Sequence, residues 1–106
     1  MAVDPNAPLD EPLDCNAARK QVSWILTHGV FEYWGHCKEE LAKDGLDVSD
    51  ALNVLRGGTI YEPAEQHSSG RWRYRVHTER ICVVLHFDSR TELSVVTAWR
   101  KKGGRR

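Results

Sequence analysis

The chain has 106 residues, of which 41% are hydrophobic and 28% are charged. This length and balance are typical of one globular domain and exclude a fibrous or mainly disordered chain. The apolar runs are far shorter than the roughly 20 residues of a membrane helix, and the acidic N-terminus lacks the features of a signal peptide, so we expect a cytoplasmic protein without membrane association.

The net charge of zero hides a division along the chain. Residues 1–50 hold four Lys and Arg against ten Asp and Glu, whereas residues 51–106 hold eleven against five. The basic half indicates either an anionic partner or an ordinary solvated surface. The three cysteines are widely spaced and odd in number, so they predict neither a disulfide framework nor a metal site, and no motif indicates a cofactor.

The first half is predicted to be helical after a mobile tail. Residues 1–15 contain three prolines and four acidic residues without an apolar period, which predicts a mobile acidic segment. Helical spacing of apolar residues and stops at glycine predict three helices, with Asn16 as the first N-cap and Asp47 or Ser49 as the third. The helices are predicted at 16–28, 36–45 and 47–57, with a short aromatic strand at 30–34.

The second half is predicted to form a sheet. Four runs of β-branched and aromatic residues are separated by short polar connections, which favour antiparallel neighbours. The predicted fold class is therefore α+β, with N-terminal helices packed on one face of a four-stranded, mainly antiparallel sheet. Residues 16–100 form this domain, and residues 101–106 are predicted to be a basic mobile C-terminus. The predicted strands are 59–62, 71–77, 80–87 and 92–100.

Strict alternation along these strands divides the side chains between two faces. The face that the helices should cover is predicted to hold Trp72, Tyr74, Val76, Ile81, Val83, Leu85, Phe87, Leu93, Val95, Thr97 and Trp99. The opposite, basic face is predicted to hold Arg71, Arg73, Arg75, Cys82, Val84, His86, Ser94, Val96, Ala98 and Arg100. Guanidinium groups in such a row are suited to phosphate oxygens, although a solvated sheet face has the same pattern.

Several segments between Phe31 and Trp99 resemble a known family. They are FEYWGHCKEEL, the LRGG that precedes TIYE, GRWRYRV, ICVVLHF and SVVTAW. The chain resembles the family of unknown function DUF4258, which looks related to the RelE-like toxins, including MqsR-like and BrnT-like members. Thr97 corresponds to a threonine often found in the last strand of this family, whereas strict alternation puts it on the apolar face.

The resemblance implies a toxin-like endoribonuclease of a toxin–antitoxin system that needs no metal. Its expected partners are RNA, free or on the ribosome, and a protein antitoxin. The alternative is a non-catalytic module whose basic face binds nucleic acid or an acidic protein.

Metal-free RNA cleavage needs groups that accept and donate protons and cations for the phosphate. His36, at a strand-to-helix junction, is the leading acid/base candidate, and His86 is a second. A surface role for His36 and a structural role for His86 are the alternatives. Arg73 is predicted to clamp the phosphate as part of the catalytic set. The predicted substrate-binding residues are Arg71, Arg75, Arg100 and Trp34.

Overall fold

The computed structural model describes residues 9–101. Three helices lie on one face of a sheet, which confirms the α+β class. Within residues 9–101, no helix is both long and apolar enough to span a membrane. In chain order the elements are α1 (Cys15–His28), β1 (Val30–Tyr33), α2 (Gly35–Lys43), α3 (Val48–Gly57), β2 (Glu65–Gln66), β3 (Trp72–His77), β4 (Ile81–Ser89) and β5 (Glu92–Arg100).

The sheet has five strands in the order β1-β5-β4-β3-β2, so the predicted four strands are wrong in number. The last three strands form the predicted antiparallel meander, but β1 adds a parallel edge to β5. The strand predicted at 59–62 is reduced to one bridge between Thr59 and His77. Pro63 follows that segment and has no amide hydrogen for a ladder. Pairing resumes only at β2, inside the predicted loop.

The folded unit begins before Asn16. Asp14 is the N-cap of α1, since its Oδ1 accepts a hydrogen bond from the Ala17 amide at 2.7 Å. The amide of Leu13 donates to the Tyr74 hydroxyl at 3.0 Å, and that hydroxyl donates to Glu11 at 2.9 Å. Residues 9–14 of the predicted tail therefore contact the domain. Cys15, the last residue of that tail, is the first residue of α1. Residues 1–8 of the tail and residues 102–106 of the predicted C-terminus lie outside the described residues.

The core lies between the helices and the inner face of the sheet. The inner face holds residues that alternate along β3 and β4, and Val76, Val83 and Leu85 are fully buried there. The helices cover this face with Ala18, Val22, Ile25, Cys37, Leu41, Ala51, Val54 and Leu55. Because the helices occupy only one face, the other face stays free of them.

A β-bulge in β5 changes which side chains reach that other face. Val84 pairs with Thr97 but Leu85 pairs with Val95, so Val96 is an extra residue. From Thr97 onwards, each side chain lies on the face opposite to the one that strict alternation predicts. Thr97 and Trp99 therefore lie opposite the helices, and Ala98 is in the core, contrary to the predicted faces.

The same bulge moves Arg100 to the helix side. Arg100 pairs with Ile81, which packs on the core, so its side chain leaves the basic face where alternation predicted it. Its guanidinium Nε and Nη2 donate to the Asp44 carbonyl, both at 3.3 Å. The uncovered side of the sheet, called the open face below, presents Arg71, Arg73, Arg75, Val84, His86, Thr97 and Trp99.

Candidate functional site

Two adjacent cavities form a continuous depression on the open face, called the arginine groove below. One cavity has a volume of about 340 Å³ and the other about 290 Å³. Arg73 and His67 line both, so the two cavities meet at these residues. The first cavity is also lined by Trp34, Ser69, Arg71 and His86, and the second by Glu65, Arg75, Thr97 and Trp99.

The outer arginines of the row are held by carboxylates of the chain itself. Arg71 Nη1 lies 2.8 Å from Asp88 Oδ1. Arg75 Nη2 lies 2.8 Å from Glu65 Oε1, and its guanidinium carbon is 6.0 Å from the centre of the Trp99 ring. These pairs neutralise part of the charge and fix the two guanidinium groups as walls of the groove.

Arg73, at the centre of the groove, differs from its neighbours. Its Nε is buried and has no hydrogen-bond partner within the described part of the chain, where the side chain also forms no ion pair. Arg73 lines a third cavity as well, beside Glu62 and Glu65. The guanidinium is therefore a cation without a carboxylate partner in the described chain, and its place in the lining of both cavities suits it to an anionic oxygen bound in the groove.

His86 belongs to a network on the floor of the groove. Its Nε2 lies 3.2 Å from Asp88 Oδ1, and the hydroxyl of Ser94 donates to Asp88 Oδ2 at 2.7 Å. Arg71 binds the same carboxylate. Because a carboxylate only accepts, the proton of the neutral imidazole lies on Nε2 and Nδ1 is left as the acceptor.

Two ionisable groups of this network have shifted pKa values. Burial lowers the pKa of His86 below its ordinary value of 6.5, and the charge of Arg71 adds to this, while Asp88 opposes it. Burial acts to raise the pKa of Asp88, but the hydrogen bonds from Ser94 and Arg71 outweigh it, and the pKa falls below 3.8. The network therefore holds a neutral imidazole against an ionised carboxylate near neutral pH.

Trp34 reaches the groove from the edge of the sheet. Its amide donates to the Val95 carbonyl at 3.0 Å and continues the β1–β5 ladder by one residue before α2 begins at Gly35. Its ring packs edge-on against His86 with centroids 5.2 Å apart, and 41% of the residue remains exposed. The strand-to-helix junction thus positions an aromatic side chain, not only the predicted histidine.

The groove includes five of the seven predicted site residues, namely Trp34, Arg71, Arg73, Arg75 and His86. His36 lines neither of its two cavities. The His36 side chain is 67% exposed in the first turn of α2, and its Nε2 lies 3.8 Å from Glu40 Oε2. Its acid/base role stays a prediction. Arg100 is outside the groove because of the bulge.

Several groove residues were not predicted from the sequence. Asp88 was detectable, because it lies two residues after His86 on the same strand and therefore shares its face. Trp99 was not, and only the family resemblance drew attention to Thr97, because nothing in the pattern of β5 marks the bulge that turns them outward. Glu65 and His67 lie in and beside the short β2, within a segment without strand periodicity.

The description "Domain of unknown function (DUF4258)" belongs to a family model that matches residues 33–100 of this chain. The chain belongs to this family. The matched part of the DUF4258 domain begins at the end of β1 and includes every residue of the arginine groove. No curated protein and no solved structure gives a significant match to the chain.

Proposed function

We propose that the arginine groove binds the phosphodiester backbone of RNA and that the domain cleaves it as a toxin-like, metal-independent endoribonuclease. The observation that carries the proposal is the guanidinium of Arg73, which lines both cavities and has no carboxylate partner within residues 9–101. A phosphate oxygen bound in the groove accepts a charge-assisted hydrogen bond from such a group.

The flanking arginines support a phosphate at this position. Arg71 and Arg75 are anchored by Asp88 and Glu65, so binding requires little further ordering of their side chains. Their charges lie on both sides of Arg73 along β3. Asp88 and Glu65 offset those two charges, so the positive field of the groove is centred on Arg73, where it stabilises charge that builds on a phosphate during cleavage.

The acid/base chemistry is assigned to His86 and His36. Neutral His86 accepts the proton of the ribose 2′-hydroxyl at Nδ1, and Asp88 stabilises the imidazolium that forms. The 2′-oxygen bonds to phosphorus as the bond from phosphorus to the 5′-oxygen breaks. The leaving oxygen takes a proton from His36, two residues after Trp34.

Kinship with the RelE-like toxins is part of this proposal. It is supported by the α+β arrangement and by the motifs between Phe31 and Trp99. It adds a ribosome-bound mRNA as one form of the substrate, a protein antitoxin as a partner, and the cytoplasm as the location.

A second candidate is a module that binds nucleic acid or an acidic protein without chemistry. The observations that favour it are the low exposure of His86, 4%, and the position of His36 outside the two cavities. This candidate uses the same arginines but needs neither histidine.

The test is cleavage of end-labelled RNA, free in EDTA in one reaction and bound to ribosomes in Mg²⁺ buffer in another. The wild-type protein should cut the RNA, and Arg73→Ala should lower the rate roughly 100-fold or more, as expected when one donor to developing negative charge is lost. Arg100→Ala is the matched control, because Arg100 lies on the helix side, and it should keep wild-type activity.

The histidine variants separate the two candidates. His86→Gln and His36→Gln should each abolish most cleavage while RNA binding persists. Intact RNA with wild-type protein, together with binding that Arg73→Ala removes, would leave only the binding module. Neither cleavage nor binding of RNA would overturn both the nuclease and the nucleic-acid-binding module.

A further inference from the structure

Two exposed tryptophans lie at opposite ends of the arginine groove. Trp34 is 41% exposed beside His86, and Trp99 is 36% exposed beside Arg75. Large aromatic side chains are normally buried, so an exposed pair in one groove indicates a binding surface. The other two tryptophans, Trp24 and Trp72, pack against the core instead.

The spacing of the two rings follows from the strand register. Trp34 packs on His86, and Trp99 pairs with Cys82, four residues earlier in β4. Four residues of extended strand correspond to about 13 Å. Arg73 and Arg75 project from β3 beside this interval, because Arg75 pairs with Val84, which lies midway. Two guanidinium groups therefore line the stretch of the groove between the two aromatic rings.

We propose that unpaired nucleobases stack on Trp34 and Trp99 while the backbone between them passes Arg73, so that the ligand is single-stranded nucleic acid. This rests on the RNA binding proposed above and adds two base subsites to it. Every base has an apolar face that stacks on an indole, and arginine beside the ring adds a cation–π contribution.

A duplex does not satisfy this arrangement. Its base faces are covered by their neighbours in the stack, and only the edges and the backbone are available to a protein. Unstacking and unpairing bases to reach the rings costs a few kilocalories per mole. The phosphates of a duplex still attract the arginines. The preference for a single strand over a duplex is therefore assigned to the two tryptophans and not to Arg73.

The experiment measures fluorescence anisotropy with labelled 2′-O-methyl RNA, which lacks the 2′-hydroxyl needed for cleavage. Binding is therefore observed whether or not the domain is a nuclease. Wild-type protein should bind the single strand at least 10-fold more tightly than a duplex of the same sequence. Trp34→Leu and Trp99→Leu should each weaken single-strand binding roughly 5- to 100-fold, the effect of one lost base stack.

Trp24→Leu is the matched control, because Trp24 stacks on His28 in α1, and it should bind as the wild type does. Equal affinity for single strand and duplex would overturn the base subsites, and this comparison needs no variant. Unchanged binding by both groove variants would overturn them too. If Arg73→Ala alone weakens binding, the phosphate site stands without base subsites. If the protein does not cleave RNA but Trp34→Leu and Trp99→Leu still weaken single-strand binding, only the nuclease proposal would be overturned.

Discussion

A single carboxylate, Asp88, organises the chemistry of the groove. It contacts Arg71, His86 and Ser94, and so connects β4 to β5 and to the arginine row. Removing it would leave a buried histidine without its acceptor and an arginine without its anchor. These contacts hold the His86 imidazole neutral and in a fixed orientation.

The burial of His86 predicts a pH dependence of stability. Its pKa in the folded protein is lowered from 6.5, so as pH falls below about 6.5 the unfolded chain takes up this proton first. The free energy of unfolding should therefore decrease from pH 7.5 to pH 5.5 in urea titrations. Asp88 adds nothing in that window, because its pKa is lowered from 3.8.

His86→Gln should flatten this part of the pH profile. His28→Gln, which changes an exposed histidine of α1, should keep the wild-type slope. A wild-type slope in the His86→Gln protein would show that another group carries the effect.

At the scale of elements, the bulge in β5 decides what the groove contains. One extra residue, Val96, turns Thr97 and Trp99 to the open face and Arg100 to the helices. The short strand β1 and the junction at Trp34 complete the edge of the groove. These irregular positions thus supply both exposed tryptophans, whereas β3 and β4 supply Arg73, Arg75 and His86.

The junction between α3 and β3 depends on close backbone packing at Gly58. A Cβ there would lie 2.6 Å from the Val54 carbonyl oxygen and 2.8 Å from that of His77. Gly58→Ala should therefore lower the free energy of unfolding by about 1–3 kcal/mol in urea titrations. The neighbouring Gly57→Ala is the control, since its Cβ would have no atom within 4 Å, and it should be neutral or stabilising by up to about 1 kcal/mol. Equal effects would contradict this packing.

The first turn of α3 is held by a capping box. Asp47 Oδ1 accepts from the Asp50 amide at 3.1 Å, and Asp50 Oδ2 accepts from the Asp47 amide at 2.9 Å. Asp47→Ala should cost about 1 kcal/mol of stability by thermal or urea denaturation. Ser49→Ala, the other residue considered as a cap, should change stability little; a larger loss for Ser49 than for Asp47 would contradict the assignment.

The predictability of these elements follows from their periodicity. Clear helical or alternating patterns led to α1, α3 and β3–β5 with nearly correct bounds, and the arginine row on β3 was placed on the correct face. Alternation cannot reveal a bulge, so every face assignment beyond Val96 was reversed. The two-residue β2 is too short for a periodic signal, and the parallel pairing of β1 depends on where the helices return the chain. Those long-range contacts have no local signature.

At the scale of the whole molecule, the helices and the groove occupy opposite faces of one sheet. The helices bury the inner face, which leaves the open face to arginines, aromatic residues and the carboxylates that pair with them. The overall charge is zero, yet Arg73, at the centre of the open face, has no ion-pair partner within residues 9–101. An anionic ligand is the expected partner because of where this charge lies, and not because of the net charge of the chain.

The salt dependence of RNA binding measures whether Arg73 contacts a phosphate. The affinity for single-stranded RNA should fall as salt rises, because phosphate contacts release counterions. Arg73→Ala should reduce the slope of log K against log salt by about 0.7, the value for one phosphate contact on a single strand. Arg100→Ala should leave the slope unchanged. An unchanged slope for Arg73→Ala would remove Arg73 from the phosphate site.

The most direct test locates the ligand on the molecule. Isotope-labelled protein is titrated with an uncleavable 2′-O-methyl single strand, and backbone amide shifts are followed by NMR. The account predicts that the shifts cluster at Arg73, Val84 and Thr97 on the open face. Shifts confined to α1 and α3, or none at saturating RNA, would contradict it.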